Sequence, residues 1–460
     1  MADTIVALAT PLGRSGIGVI RLSGNESLPI VQKIVDEGSF DPKPRSAHLK
    51  QLRDPETGEV IDEALVTYFK TPHSFTGEDV VEISCHGSPV LLRQVIDISL
   101  KLGARMADAG EFSLRALANG RMNLAEAEAI RDLIDAQTAA SARQAVRQLR
   151  GEFSNRLQPI KDALLHVIVV LESALEFVED DLPEFQTENI KTQLAKLSDD
   201  VSKIASTFQA GRLIREGLRV AIVGRPNVGK SSLFNALVGS DRAIVTEIAG
   251  TTRDQIHESF TINNIPISLM DTAGLRETAD TVESIGVERS RMAMADADLV
   301  IVMIDGSEEF TADDKKILDN VRELNHLIII NKIDKISTAQ VEERSNYLNS
   351  ALRIPHSAIA KVSAKTRSGL TELQHAIIHP FAPQDVTNSG FLVTDARHYD
   401  LLLRAKDGIE SSLELLDKKT SEEIVLVGLH NALRFLGQIT GETTTEDMLT
   451  QIFSTFCIGK

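Results

Sequence analysis

Residues Gly224-Arg225-Pro226-Asn227-Val228-Gly229-Lys230-Ser231 match the pattern GxxxxGK[ST] in full. That pattern suits a polyphosphate. Its glycines let backbone N–H groups approach phosphate oxygens, and the start of the following helix adds partial positive charge. Lys230 offers a point charge to the β and γ oxygens, and the Ser231 hydroxyl is a ligand for Mg²⁺. An apolar strand-like run at 218–224 precedes the loop and a helical run at 231–238 follows it, which separates the motif from a chance glycine-rich turn. Three further elements follow in order. In Asp271-Thr272-Ala273-Gly274, Asp271 is suited to hold Mg²⁺ through water and the Gly274 N–H to meet the γ-phosphate. Asn331-Lys332-Ile333-Asp334 ends an apolar strand, and the Asp334 carboxylate can accept from both N1–H and the 2-amino group of guanine. Adenine offers neither, and such a mismatch discriminates by ~10⁴-fold or more. Ser363-Ala364-Lys365, after the last strand, suits a contact to guanine O6. In this order the elements imply GTP with Mg²⁺, rather than ATP, as ligand.

Gly250-Thr251-Thr252-Arg253-Asp254 lies between the phosphate loop and the Asp271 motif. From its register, Thr252 is the residue to cap Mg²⁺ as a switch loop closes. The nucleotide-lining set also takes in Val228, Gly229 and Ser232. Hydrolysis needs a group that orients water. The position after Gly274, where a glutamine would serve, holds Leu275, so that group must come from elsewhere. The stretch 276–283 contains several polar side chains.

The elements that must position these residues alternate between strand and helix. Apolar strands at 218–224, 266–270, 299–304, 327–330 and 358–362, separated by helical stretches, predict a mainly parallel sheet covered on both faces. Residues 1–118 read as mixed α/β, with strands at 4–9, 19–22, 64–69 and 80–85 and a helix at 89–102. From Asn123 the spacing of Leu124, Ala127, Ile130, Leu133 and Ile134 is helical, and the helical texture runs to about Ile214 with a break at Asp180-Asp181-Leu182-Pro183. It resumes after Pro383. A helical domain interrupted by the α/β domain is the simplest architecture; a separate C-terminal helical domain is the alternative.

Composition bounds the rest. A chain of 460 residues has room for roughly three domains. The net charge of −17 argues against general nucleic-acid affinity but leaves room for a local basic patch or an RNA held jointly with a second protein. With no Trp and three Tyr, stacking platforms for single strands do not dominate. Cys85 and Cys457 form neither a disulfide framework nor a metal motif, which fits a reducing cytoplasm. The apolar run 166–171 is short and is followed by Glu172, so it cannot span a bilayer. The last four residues superficially suggest a prenylation box, for which Gly459 and Lys460 are poor choices.

Taken with the Gly-Thr-Thr-Arg-Asp segment, the four nucleotide motifs resemble the MnmE (TrmE) family of GTPases, within the TrmE-Era-EngA-YihA-Septin-like superfamily. Ala9-Thr10-Pro11…Gly16-Ile17-Gly18, Gly110-Glu111-Phe112-Ser113…Asn119-Gly120-Arg121 and the terminal Phe456-Cys457-Ile458-Gly459-Lys460 extend the resemblance over essentially the whole chain. It implies a multidomain α/β plus all-α fold. Residues 1–120 would form an α+β tetrahydrofolate-binding and dimerisation domain. Residues 121–215 would be the first part of a helical domain, 216–380 an inserted Ras-like P-loop GTPase domain, and 381–460 the second helical part. It implies hydrolysis that depends on K⁺, held by the Asn227 side chain and the backbone carbonyls of Thr246, Ile248 and Thr251 within the nucleotide-lining segment Thr246-Glu247-Ile248-Ala249-Gly250-Thr251, and on pairing of two GTPase domains. Glu283 matches the family's water-orienting glutamate, with Arg253, Asp254 and Arg276 in support. From the residues alone, Arg21, Glu82 and Arg121 are only charged residues near strands or turns. The resemblance makes Glu82 a pterin ligand and Arg21, Arg121 and Lys460 a cationic set for 5,10-methylene- or 5-formyl-tetrahydrofolate. Arg121 departs from the lysine usual at its motif position, which keeps charge but changes donor geometry. Cys457 reads either as a redox or nucleophilic thiol or as a small buried apolar residue; Cys85, on a core strand, reads as structural. The implied reaction installs carboxymethylaminomethyl or aminomethyl on C5 of the wobble uridine of tRNA. Nitrogen would come from glycine or ammonium. The chain would act as a homodimer joined to an FAD-dependent partner, MnmG (GidA), in a heterotetramer, in the cytoplasm and away from membranes. A ribosome-assembly GTPase that grips rRNA, or a GTP-controlled scaffold, are the competing readings.

Overall fold

The structure, a computed structural model, describes residues 3–35, 40–176, 184–239, 257–270, 294–352, 358–381, 390–442 and 446–459. The chain divides into two compact units, one of residues 1–134, 148–179 and 421–460, the other of 135–147 and 180–420.

The first unit is built on a six-stranded sheet in the order β3-β4-β5-β2-β1-β6: β1 (Ile5–Leu8), β2 (Ile17–Ser23), β3 (Ala47–Arg53), β4 (Val60–Phe69), β5 (Val80–His86) and β6 (Arg105–Met106). Only the β1–β6 pair is parallel. Side-chain alternation assigns the faces. Val6, Ile20, Leu22, Val66, Val81 and Ile83 pack under the Ser27–Ile34 and Pro89–Lys101 helices. The opposite face takes Ile5 and Ala7 against Phe112 and Phe75, and there Arg21 of β2 stands directly across from Glu82 of β5. Helices Glu152–Glu176 and Glu422–Thr440 lie side by side. Lys161 pairs with Glu442 and Glu172 with His430, so the two run antiparallel. The Leu124–Ile134 and Glu446–Phe453 helices share a small core of Leu124, Ala127, Phe453 and Phe456.

The β3 and β6 strands and the Ser27–Ile34 helix add to what the residue pattern gives. The Glu111–Ala118 helix brings in a buried charge that sequence reasoning missed. Arg115 is 1 % exposed. It donates to Glu111 at 2.8 Å, to Glu78 at 3.1 Å and to Asp3 at 3.0 Å, while Arg105 binds Glu111 at 2.7 Å. Burial alone would push Glu111 up, but hydrogen bonds from Arg105, the Asp108 N–H and Arg115 outweigh it and hold its pKa below the ordinary 4.5. A carboxyl whose folded pKa is depressed adds stability above its unfolded value, and that stability disappears as pH falls through the folded value. Acid should therefore lower the thermal midpoint steeply below about pH 4.5. Glu111→Gln should cost about 2 kcal/mol at neutral pH and flatten that acid slope. An unchanged slope in calorimetric scans of the variant would remove this account.

The second unit contains an α/β domain and helices that flank it in sequence. Helices Glu184–Ala205 and Ala396–Asp417 pack along each other, with Ser198 on Glu410 at 2.8 Å and Lys191 on Asp417 at 2.7 Å. The sheet has the order β12-β11-β10-β7-β9-β8: β7 (Leu218–Gly224), β8 (His257–Ile262), β9 (Ile265–Met270), β10 (Leu299–Asp305), β11 (His326–Asn331) and β12 (Ala358–Lys361). All neighbours are parallel except β8, which forms a hairpin with β9. Its two-residue turn, Asn263-Asn264, has φ of 51° and 62°, which asparagine tolerates better than most residues. Helices Lys230–Val238 and Leu370–Ile378 cover one face through Leu233, Leu237 and Leu373; Ala312–Val321 and Thr338–Leu352 cover the other through Leu318, Val321 and Leu348. Every residue of β10 is buried, as expected for a central parallel strand. The fold is thus the expected multidomain α/β plus all-α chain with a mainly parallel P-loop sheet. Among the described residues no helix is long and apolar enough to cross a membrane.

Candidate nucleotide site and one-carbon site

The phosphate loop leaves the carboxyl end of β7 and closes at Gly229, which takes φ of 103° and opens the Lys230–Val238 helix. No side chain caps that helix. Its first N–H groups are the donors that a helix start offers to an anion. Lys230 lies back across the loop, its Nζ donating to the carbonyls of Gly224 at 2.7 Å and Arg225 at 2.8 Å. Ser231 and Ser232 are exposed on the first turn, Val228 is buried, and Asn227 is exposed with φ of 63°.

Two strand ends meet this loop. Asn331, 2 % exposed at the end of β11, donates from Nδ2 to the Val228 carbonyl at 2.8 Å and accepts at Oδ1 from the Ala364 N–H at 3.1 Å. One amide therefore stitches the phosphate loop to the Ser363-Ala364-Lys365 loop. The fit is close: a Cβ on Gly229 would stand 2.4 Å from Asn331 Nδ2. Lys332 donates from Nζ to the Asn227 carbonyl at 2.7 Å and to buried Asp305. Ser363 donates to Asp334 at 2.6 Å, and that bond, with help from Lys365 and Lys335, holds the exposed Asp334 carboxyl below the usual carboxylate range. An ionised acceptor is thus ready beside a loop of backbone donors. Residues 246–254, 271–274, Arg276 and Glu283 lie outside the described residues.

The pairing of Asp305 with Lys332 and of Asp314 with Arg225 is not evident from motif matching. The one local signal is the Thr311-x-x-Asp314 spacing, a capping pattern at the start of the Ala312–Val321 helix.

In the first unit a second group assembles. Arg21 donates to Glu82 from Nη2 at 2.7 Å and Nε at 2.9 Å, and from Nη1 to the Gly459 carbonyl at 3.3 Å. Its guanidinium stands 5.6 Å from the Phe75 ring and 5.7 Å from the Phe112 ring. The tail reaches it by packing Phe456 on Phe453, pairing Ile458 with Ala109, and turning at Gly459 with φ of 95°. Arg121 is exposed, and a Cβ on Gly77 would come 3.2 Å from its Cγ, so its stem follows the loop that carries Phe75. Cys457 is exposed, not the buried apolar residue that was one of its two readings; Cys85 is buried, and burial pushes its thiol up to about 12. Lys460 lies outside the described residues. A cation, a carboxylate and two aromatic rings together fit a flat heteroaromatic ring with amide-like N–H groups. At the nucleotide site, the exposed Ser231 hydroxyl at the helix start and the exposed Asn227 side chain are oxygen ligands of the kind a hard cation beside phosphates takes.

Sheet order, phosphate loop and base-side strand end define a nucleotide-binding domain of the P-loop GTPase class. Residues 4–121 match the family model for the GTP-binding protein TrmE N-terminus, and 124–457 match that for the MnmE helical domain. The chain is 44 % identical to the tRNA modification GTPase MnmE of Koribacter versatilis, covering 100 % of this chain and 99 % of that one. It is 43 % identical to that of Aquifex aeolicus, with all of both chains covered, and 40 % to that of Acetivibrio thermocellus, with 100 % and 99 % covered. The chain belongs to the MnmE family.

Proposed function

We propose that this chain hydrolyses GTP and uses the hydrolysis to serve modification of the wobble uridine in tRNA. The seam Val228–Asn331–Ala364 supports the first half best, because it ties phosphate-binding and base-reading loops into one rigid cradle. The names of the full-length relatives support the second half. Lys230 and the helix start bind the β- and γ-phosphates; Asp334 and the 363–365 loop select guanine. Ser231 and Thr252, with Asp271 through water, hold Mg²⁺. Asn227 and the carbonyls of Thr246, Ile248 and Thr251 hold K⁺. These cations offset charge that develops on the phosphates, as an arginine finger does. Glu283 orients the attacking water. The four-segment domain organisation, pairing of two chains, and assembly with an FAD-carrying MnmG partner in the cytoplasm belong to the same reading.

The Arg21–Glu82 pair, Arg121 and Lys460 hold a tetrahydrofolate, which supplies one carbon when bound. Glu82 accepts from the pterin, Arg21 orients that carboxylate through its two hydrogen bonds, and Cys457 stands exposed two residues before the carbonyl that Arg21 grips. Replacing K⁺ by Na⁺ should slow GTP turnover about tenfold or more; equal rates in a phosphate-release assay would remove the K⁺ assignment. The function as a whole is tested by nucleoside mass spectrometry of tRNA from cells lacking the chain. Carboxymethylaminomethyl and aminomethyl groups should vanish from the wobble uridine, and their persistence would overturn the reading.

A further inference from the structure

We propose that Asp314, acting through Arg225, is a positioning residue for the phosphate-binding Lys230. The proposal deepens the GTP reading and rests on it. Arg225 is the second residue of the phosphate loop, where the pattern accepts any side chain. Its guanidinium is committed to two carboxylates: Nε donates to Asp314 Oδ1 at 2.8 Å and Nη2 to Glu308 Oε2 at 3.2 Å. Its backbone carbonyl is one of the two on which the Lys230 ammonium rests, at 2.8 Å.

Asp314 is 2 % exposed, and its other oxygen is already fixed. Oδ2 accepts from the Thr311 N–H at 3.0 Å and from the Thr311 hydroxyl at 2.8 Å, closing the capping box of the Ala312–Val321 helix. One carboxylate thus ends a helix with one oxygen and anchors the phosphate loop with the other. An exposed arginine pair would contribute little. This one ends on a buried acceptor that cannot turn without breaking the cap, so it restrains the Arg225 peptide and the carbonyl that Lys230 uses. The base side of the site has anchors of its own besides these links, Asp305 on Lys332 and the Gly306 N–H on the Asn331 carbonyl at 2.8 Å. Loss of the Arg225 anchor should therefore weaken the grip on phosphates and leave the choice of base intact.

The experiment titrates the full chain and its Arg225→Ala and Arg225→Lys variants with GTP, GDP and ITP, which lacks the 2-amino group. Arg225→Ala should lower affinity for GTP and GDP about tenfold, the scale of one charge-assisted hydrogen bond. The preference for GTP over ITP should stay at the wild-type value, the thermal midpoint should fall because the buried Asp314 carboxylate loses a partner, and Arg225→Lys should fall between. Unchanged GTP affinity would overturn the proposal. So would a loss of GTP preference in step with affinity, since that marks damage to the whole site. If the wild-type chain does not distinguish GTP from ITP, base reading by Asp334 fails, and the affinity ratio of Arg225→Ala to wild type still decides the positioning role.

Discussion

Asp334→Asn exchanges guanine for xanthine as the preferred base. Guanine presents two donors on the edge that Asp334 is suited to read, N1–H and the 2-amino group, and an ionised carboxylate accepts both. The Ser363 hydroxyl keeps that carboxyl below its ordinary pKa, so at neutral pH it is an acceptor at both oxygens. An asparagine keeps one acceptor and turns the other into a donor. Facing guanine it then opposes the 2-amino group donor to donor. Facing xanthine, which carries an oxygen at C2, it is matched. A hydrogen bond to a charged group contributes about 1.5–3 kcal/mol, and an unpaired group left in the contact adds to the loss. GTP affinity should fall on the order of 10²-fold or more, while the xanthosine triphosphate becomes the tighter ligand. Competition calorimetry with the two nucleotides reads this directly. A variant that still prefers GTP would show that Asp334 does not read the base.

Gly459→Ala abolishes most tRNA modification and leaves GTP turnover alone. Gly459 takes φ of 95°, and a Cβ there would lie 2.5 Å from the Leu8 carbonyl oxygen. An alanine must leave that conformation, which otherwise costs about 1–3 kcal/mol even before the clash. The tail then gives up the Ile458–Ala109 pairing and the contact of its carbonyl with Arg21. Cys457 moves with it. A shift of about 1 Å at a reacting group costs on the order of 10²-fold. Nucleoside mass spectrometry should find the wobble uridine of the variant strain largely unmodified, while the purified variant releases phosphate from GTP at the wild-type rate. Full modification would show that the tail geometry is irrelevant to the chemistry. Matching loss of both activities would break the separation of the two sites.

How far these sites could be read from the residues alone follows from the range of the interactions that build them. The phosphate loop is local: a buried strand, a turn that needs glycine at positive φ, and a helix start, all within about twenty consecutive residues. Backbone sterics and apolar periodicity act over that span, so the motif and its two flanking elements were legible before any coordinates. The base-side motifs were legible for the same reason, each sitting at the end of an apolar strand. The β3 strand was not. As an edge strand with Gln51 and Arg53 among its apolar residues, it lacks a clean alternation. Nor was the burial of Arg115, since a guanidinium is buried only where several acceptors converge, and Asp3, Glu78 and Glu111 come from three separate segments.

By itself the sequence determined the guanine-nucleotide chemistry, the strand–helix alternation around it and the kinship of the chain. Tertiary structure decided which distant groups share a site: Asn331 between Val228 and Ala364, Asp314 on Arg225, and Arg21 on a carbonyl 438 positions away. The physical reason is that periodicity specifies which face of an element is buried, whereas the partner a polar side chain meets depends on how whole elements pack.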